Sequence, residues 1–592
     1  MAEAARLRPA AGPAGPAWLS RPLLPDLQRV LAREIDWEVA GYALLVALSF
    51  VVRIWDVGGR AMHHDESLHA TYAWYLFKGR GYQYNPLMHG PLQFYVMAFF
   101  YMLFGDSETT ARLFAVLSGS AIVFLPYFLR REMGRNAAAI AALALAISPT
   151  FLYFSRFARD DIYLDFFTLV IVVAAWSYVR KRRARSLYVL SVAMALAMAT
   201  MEVAYIVFFI FGSFVLLLVV RELFQSRFAK RSAAMSAGRD APSDNRVTPA
   251  VQDNPPMLLP ALRSISLDTA LYAFAIFFAI TVLLYSTFFT NPYGVIDPRY
   301  GLLSASRQDI LGGITYWLSQ HGVARGGQPW FYYLLLFPLY EQFALVFAAT
   351  GVVWAFVRRD LFVTFLAFWF VMSLAIFSWA GEKMPWLFLH PLLPAILLAS
   401  TFMGHLLGQF RRSGRIALIS CLLVLLIAEA HSAQALTYAD GANPTEMLIY
   451  VQTSNDVPYV AAEAIGLVHR IKSSTLGPLI QVDDADLQGW PFEWYFRNLP
   501  AKDVSYSSNF AGKSAPILLM LGPEHDQYGA SLVKRYVVSQ YRWNWWFPED
   551  YKGLAFDNGK CGTAAHETTC PPGQPGTVFL RTGTPCPSTD IS

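Results

Sequence analysis

Charge is what this sequence has least of. Only 15% of its 592 residues are Asp, Glu, Lys or Arg, against about 25% in an ordinary soluble domain. Disordered chains combine high charge with low hydrophobicity, so a hydrophobic content of 55% removes that class. Four cysteines are too few for a disulfide scaffold of this length. The composition is equally wrong for collagen or a coiled coil. No Walker loop, G-x-G-x-x-G, HExxH or G-x-S-x-G motif stands in a plausible setting. The first 36 residues, rich in Pro, Ala and Arg, carry no apolar core of a cleavable signal. No repeat relates the two halves of the chain, although such repeats are common in transporters.

What the sequence has instead is apolar runs of membrane length. A bilayer core needs about 20 mostly apolar helical residues. That ruler predicts eleven spans, near 38–56, 110–129, 137–154, 162–179, 187–201, 203–220, 266–289, 331–357, 361–379, 385–410 and 416–435. The stretch 187–220 is too long for one crossing, so a break is placed at its only charge, Glu202. With a cytoplasmic N-terminal tail (1–37), 25 Lys/Arg fall inside and nine on the opposite short loops. That asymmetry satisfies the positive-inside rule. The basic run 180–185 is then a topology anchor, and nucleic acid is not an expected partner. Residues 225–260 read as a disordered cytoplasmic linker.

The fold class expected is a polytopic α-helical membrane protein with a transmembrane region at 38–435. Residues 436–592 form a C-terminal extracytoplasmic α/β domain. Strands are predicted at Met447–Thr453, Leu479–Val482 and Pro516–Met520, and helices at Val457–Ile471 and Tyr528–Tyr536. An extracytoplasmic setting permits disulfides, with Cys561–Cys570 the favoured pair among Cys561, Cys570 and Cys586.

The polar residues near the spans gather on the extracytoplasmic side. They are His63-His64-Asp65-Glu66, then Arg156, Arg159, Asp160, Asp161 and Asp165, then Glu202, then Glu382, Lys383 and His390. Each group has a plain structural reading. Asp160 and Asp161 suit a helix N-terminus, Lys383 suits a snorkelling side chain, and the His spacing in 63–89 fits no standard metal site. Taken together, carboxylates able to deprotonate an acceptor and cations able to hold a leaving phosphate suggest group transfer. Away from cytoplasmic nucleotides, a lipid-borne donor fits best.

The ordered motifs carry a resemblance. They are His64-Asp65-Glu66, Tyr72-Ala73, Gly81-Tyr82, Pro86-Leu87-Met88-His89-Gly90-Pro91-Leu92, Ser155 to Asp161, Thr200 to Tyr205, and Glu382 to Trp386 with His390. This set resembles the GT-C glycosyltransferases, specifically the protein mannosyltransferase and aminoarabinose transferase group. Trp490-Pro491-Phe492-Glu493-Trp494-Tyr495 resembles the flippase-activity-associated branch.

The resemblance implies inverting transfer of a sugar from a polyprenyl-phosphate-linked donor at an extracytoplasmic loop (57–109). The acceptor would be a protein, lipid or glycan, and the setting a prokaryotic plasma membrane. Asp65 would be the base, and Glu66 would orient it or the acceptor. His64, Arg156, Arg159, Asp160, Asp161, Glu202, Glu382, Lys383 and His390 would bind donor phosphate and sugar. A divalent ion (Mg or Mn) would be held, if used, by Asp65, Asp160 and Asp161. Met201 departs from the Lys expected at its junction, and 290–330 leaves no room for a luminal β-trefoil. An oligosaccharyltransferase-like enzyme and a non-enzymatic transporter or helper of lipid-linked sugar flipping are the alternative readings. The first lacks a clear Trp-Trp-Asp motif, Trp545-Trp546-Phe547 being nearest.

Overall fold

In the computed structural model the described residues are 36–237, 258–297, 326–358, 360–443, 445–471 and 477–552, less 486–488, 512–514, 533–534, 546, 548 and 550. Short pieces at 303–304, 318–319, 322–323 and 590–591 are also described. The tail 1–35, most of the 290–330 loop, Trp546 and the Cys561–Cys570 pair lie outside them. Cys421 is exposed and free.

All eleven predicted spans are helical, but not all are long straight rods. Among the described residues eight helices are long and apolar enough to cross a membrane: Trp37–Ile54, Glu108–Met133, Asp161–Lys181, Val203–Gln225, Leu267–Tyr285, Leu361–Trp379, Pro385–Gln409 and Arg412–Ala439. A ninth is a pair, Tyr332–Tyr340 and Gln342–Arg358, bent by 118°. The remaining two, Arg135–Ile147 and Ala184–Met198, are shorter apolar helices.

Each break leaves helix-terminal groups that must be satisfied away from water, and buried polar side chains do this. The carbonyls of Leu145 and Ala146, at the end of Arg135–Ile147, accept from the buried Arg53 guanidinium at 3.1 and 3.2 Å. Pro149 opens the next short helix, Pro149–Phe154. Glu341, at the bend, accepts from the Ser148 hydroxyl at 2.7 Å and the Thr150 N–H at 3.0 Å. Glu429 accepts the Phe343 N–H at 2.8 Å, at the start of the helix beyond the bend. The predicted break at Glu202 falls between Met198 and Val203. There Gly90 and Leu92 donate their N–H groups to Thr200 (3.0 Å) and Ala199 (2.9 Å). Gly90 is required by this crossing, because a Cβ would lie 2.2 Å from the Ala199 oxygen.

The helix from Val203 continues to Ala237, which corrects the linker expectation for 225–237. Arg221 to Lys230 is rich in helix-favouring Arg, Glu, Leu, Gln and Lys. Residues 238–257 lie outside the described set, and Leu258–Arg263 is helical.

Pro385–Gln409 runs through the middle of the bundle and is almost wholly buried. It packs close enough to Arg135–Ile147 that a Cβ on Gly404 would sit 2.7 Å from that of Ala137. Trp37–Ile54 and Leu267–Tyr285 lie outermost, with Leu44, Leu48, Leu271 and Phe274 exposed.

The segment after Ala439 is α/β. Ile480–Val482 is the centre of a parallel three-stranded sheet between Val504–Tyr506 and Ile517–Leu519. Helix Asp456–Ile471 turns Val457, Val460, Ala464 and Val468 onto it. Of the strand expected at Met447–Thr453 only Gln452–Thr453 forms, paired with Asn544–Trp545, because the chain turns at Glu446–Ile449. The helix expected at Tyr528–Tyr536 is shifted to Gly522–Leu532.

Candidate active site

The loop after the first span holds two helices, His64–Phe77 and Leu92–Phe104. The first begins with a capping box built from unusual partners. His63 Nδ1 accepts the Asp65 N–H at 3.0 Å, and Glu66 accepts the His63 N–H at 3.0 Å. His63 Nε2 faces the Tyr450 carbonyl at 2.8 Å, so the ring is neutral and carries its proton on Nε2. Burial holds this imidazole down to about 4, well below its ordinary value. Other C-terminal residues complete the clasp. Tyr495 Oη accepts the Met62 N–H at 3.0 Å, and Gln452 donates to the Ala61 carbonyl at 3.0 Å. Trp494 reaches Glu108 at 2.9 Å, and Arg497 pairs with Asp106 at 2.8 Å.

Asp65 and Glu66 are neighbours with opposite surroundings. Glu66 is fully buried and receives Arg112 Nε and Nη2, each at 2.7 Å, and the Ala158 N–H at 2.7 Å. Burial works to raise its pKa, but Arg112 and these donors outweigh it and hold the carboxyl at about 2. With its oxygens committed, Glu66 has none left for an acceptor, so its placement among catalytic groups is corrected to that of an anchor.

The Asp65 side chain keeps 29% exposure and pairs with Arg159. Burial pushes its pKa up, yet Arg159 and then His63, His64 and His69 prevail and hold it below the usual carboxylate range. His64 is half-buried beside it, and burial lowers its pKa.

Arg159 lies flat over Trp386, 3.9 Å from the ring centre, and its Nε reaches Asp161 Oδ2 at 3.3 Å. Asp161 and Asp165, one turn apart on Asp161–Lys181, enclose the His390 ring. Nδ1 lies 2.7 Å from Asp165 and Nε2 3.3 Å from Asp161. Asp160 accepts from Gln93 at 3.0 Å on one oxygen, while the other is buried without a hydrogen bond. Burial raises its pKa well above the ordinary value, and His89 and Arg159 do not offset this. His89 pairs with Glu202 at 3.0 Å, and Tyr84 donates to the same carboxylate at 3.1 Å.

Two predicted phosphate ligands are elsewhere. Arg156 is spent on the carbonyls that end the first span, donating to Arg53 at 2.9 Å, Asp56 at 3.0 Å and also Trp55. That is a helix C-cap role, and it corrects the expectation. Lys383 donates to the Ala380 carbonyl at 2.6 Å just past the end of Leu361–Trp379, with burial lowering its pKa. Gln93 and Arg112 were absent from the sequence-based site. A lone Arg inside an apolar run was the available signal for the second.

Beside Arg159 opens a cavity of about 680 Å³. His89, Arg159, Glu202, Tyr205 and Glu382 are its charged or titratable lining. The rest is mostly apolar, including Ile206, Phe209, Ile376, Phe377 and Trp386. Among the described residues no three His, Cys, Asp or Glu side chains are grouped to hold a metal ion. The Arg159 guanidinium occupies the space between Asp65 and Asp161, and Asp160 turns to Gln93. These three carboxylates therefore do not fit a shared divalent ion.

Residues 88–237 match the family profile described as dolichyl-phosphate-mannose-protein mannosyltransferase. No curated protein matches the chain. Among solved structures, ArnT from Cupriavidus metallidurans bound to undecaprenyl phosphate shares the fold. Its TM-score is 0.54 and its identity 16%, over 84% of this chain and 95% of that one. The Archaeoglobus fulgidus oligosaccharyltransferase in the apo form aligns at TM-score 0.48 and 12% identity, over 78% and 64%. The S. cerevisiae protein O-mannosyltransferase Pmt1–Pmt2 complex aligns at 0.33 and 17%, over 46% and 37%.

The bundle is that of a multi-pass membrane protein, with an apolar cavity that has charged groups in its wall. Residues 88–237 thus resemble that mannosyltransferase family, and the chain shares the fold of ArnT.

Proposed function

We propose that this protein transfers a sugar from a polyprenyl-phosphate-linked donor to an acceptor on the extracytoplasmic side of a prokaryotic plasma membrane, with inversion and with Asp65 as base. The observation that carries the proposal is the Asp65–Arg159 pair beside a lipid-sized apolar cavity. The polyprenyl chain lies along Ile206, Phe209, Ile376 and Phe377, and the donor phosphate takes Arg159. His89, Glu202 and Glu382 face the sugar from the cavity wall, with Asp160 behind them.

The electrostatics give the pair a sequence of events. While Arg159 is bound to Asp65, the carboxylate is a weak base, because the guanidinium stabilises its charged form. A phosphate arriving on Arg159 shares that cation, so the Asp65 pKa rises towards the ordinary range. Asp65 then takes the proton of the acceptor hydroxyl as its oxygen attacks the anomeric carbon. The bond from that carbon to the phosphate oxygen breaks on the opposite face, and the electron pair leaves with polyprenyl phosphate. Arg159 holds the charge that develops there.

General base help is worth about 10²–10⁴-fold. Asp65→Asn is therefore expected to lower transfer by that factor in membranes supplied with lipid-linked sugar, with unchanged insertion. Wild-type turnover in this variant would remove Asp65 from the mechanism.

A further inference from the structure

We propose that His390, held by Asp165, is a positioning residue that acts through Asp161 to keep Arg159 turned towards the cavity. The proposal rests on the donor reading above.

The contacts run Asp165–His390–Asp161–Arg159–Asp65, alternating in charge, through side chains that are all buried up to the last. Both nitrogens of His390 face carboxylate oxygens, Nδ1 in a hydrogen bond with Asp165 and Nε2 in an ion pair with Asp161, an arrangement that suits the imidazolium, which carries a proton on each nitrogen. Its plane is fixed by Phe377, stacked at 5.3 Å with 24° between the rings. Asp161 Oδ1 and His390 Nε2 make no hydrogen bond, so the 3.3 Å ion pair is what engages each of them.

The consequence lies in how Asp161 divides its charge. An Arg facing a carboxylate favours the two-point fork. Here Arg159 engages only Asp161 Oδ2, and only through Nε, because His390 sits at the other oxygen. That leaves Nη1 for Asp65 and, by the same geometry, for an incoming phosphate. Without the imidazolium, Asp161 is free to take both arms of Arg159 and draw it from the cavity. Asp165 contributes by holding Nδ1 at 2.7 Å. The bland reading is that Asp165 and His390 merely neutralise one another inside the bundle. That reading gives no coupling to Arg159.

The test is a double-mutant cycle on binding of undecaprenyl phosphate to the full-length protein in nanodiscs, with melting curves alongside. His390→Gln and Arg159→Gln are each expected to weaken binding by about tenfold, within the range of coupled buried networks. The His390→Gln/Arg159→Gln double variant is expected to bind no more weakly than Arg159→Gln alone. If His390→Gln fails to fold, the Asp165→Asn/His390→Gln variant, which removes both charges together, replaces it in the cycle. A merely structural role would lower the melting temperature and leave the two effects on binding multiplicative. Multiplicative effects, or wild-type affinity in His390→Gln while Arg159→Gln is weakened, would overturn the positioning role and leave the donor reading standing. If the wild type binds no undecaprenyl phosphate, the donor reading falls and this proposal with it.

Discussion

Arg112 and Glu66 meet through both arms, Nε to Oε1 and Nη2 to Oε2, each at 2.7 Å, where neither side chain reaches solvent. Two further Arg112 bonds, to the carbonyls of Val57 and Arg60 at 2.7 and 2.9 Å, fix the chain entering the loop. Removing one partner of a buried pair strands the other and costs about 3–5 kcal/mol. Glu66→Gln is expected to lower the melting temperature sharply and to lose transfer with it. An unchanged melting temperature would mean that the pair does not anchor the loop.

On the proposed function Asp65 competes with the donor phosphate for Arg159, so its loss is expected to have two opposite effects. Asp65→Asn is expected to abolish most transfer yet to bind polyprenyl phosphate more tightly than the wild type. Titration of the lipid into the purified variant checks this. Weaker binding would mean that Asp65 supports the phosphate site rather than competing with it.

His63 makes the loop sensitive to acid. Its folded pKa of about 4 lies below the ordinary 6.5, so the unfolded chain takes up the proton first. Stability is therefore lost as pH falls from about 6.5 to about 4, and the charged ring can no longer accept the Asp65 N–H. His69, held down to about 3 by burial and then by Arg159, adds to the same slope. His63→Asn, which keeps a capping acceptor, is expected to melt less differently at pH 7 and pH 5 than the wild type does. An unaltered pH slope would exclude His63 as its source.

Asp160 has the opposite sign. With its folded pKa raised by burial, ionisation in the unfolded chain draws stability away as pH rises above about 4. Asp160→Asn keeps the acceptor for Gln93 and is expected to gain on the wild type between pH 5 and pH 8. A variant that loses ground over this range would show the carboxylate to be charged and held in the fold.

Gly90→Ala places a Cβ against the Ala199 carbonyl, where backbone rather than a flexible side chain must move. Overpacking of this kind costs about 1–3 kcal/mol or more. The shift would also break the hydrogen bonds of Gly90 and Leu92 to the helix break and displace His89 from Glu202. Melting and transfer should fall together, and a variant with normal activity would show that the crossing is slack.

The sequence and structure agree where the signal is local and differ where it is not. Span positions follow from apolar runs, and the break at Glu202 follows from length, because no bilayer accepts a 34-residue straight helix there. What stabilises that break, the N–H groups of Gly90 and Leu92, comes from a loop more than a hundred residues earlier and leaves no local mark. Asp65 was legible as half of an acidic pair after a span. Its difference from Glu66 was not, since it depends on which carboxylate meets Arg112. Arg156 shows the same limit in reverse. By composition it looks like a phosphate ligand, and only the end of the helix Trp37–Ile54, packed against it, shows where its donors go.

The clasp on the loop also imposes a clock. Ala61 waits for Gln452, 391 residues later, and Met62 waits for Tyr495, 433 later. At about 5–20 residues per second of synthesis, the Ala61 bond stays unmade for roughly 20–80 s after the loop emerges. The chain can thread its helices into the bilayer during that interval while the residues leading into its Asp65 helix still lack these two bonds. On the proposed function, a copy that ends before Gln452 would lack both of these bonds and is expected to transfer less than the full chain.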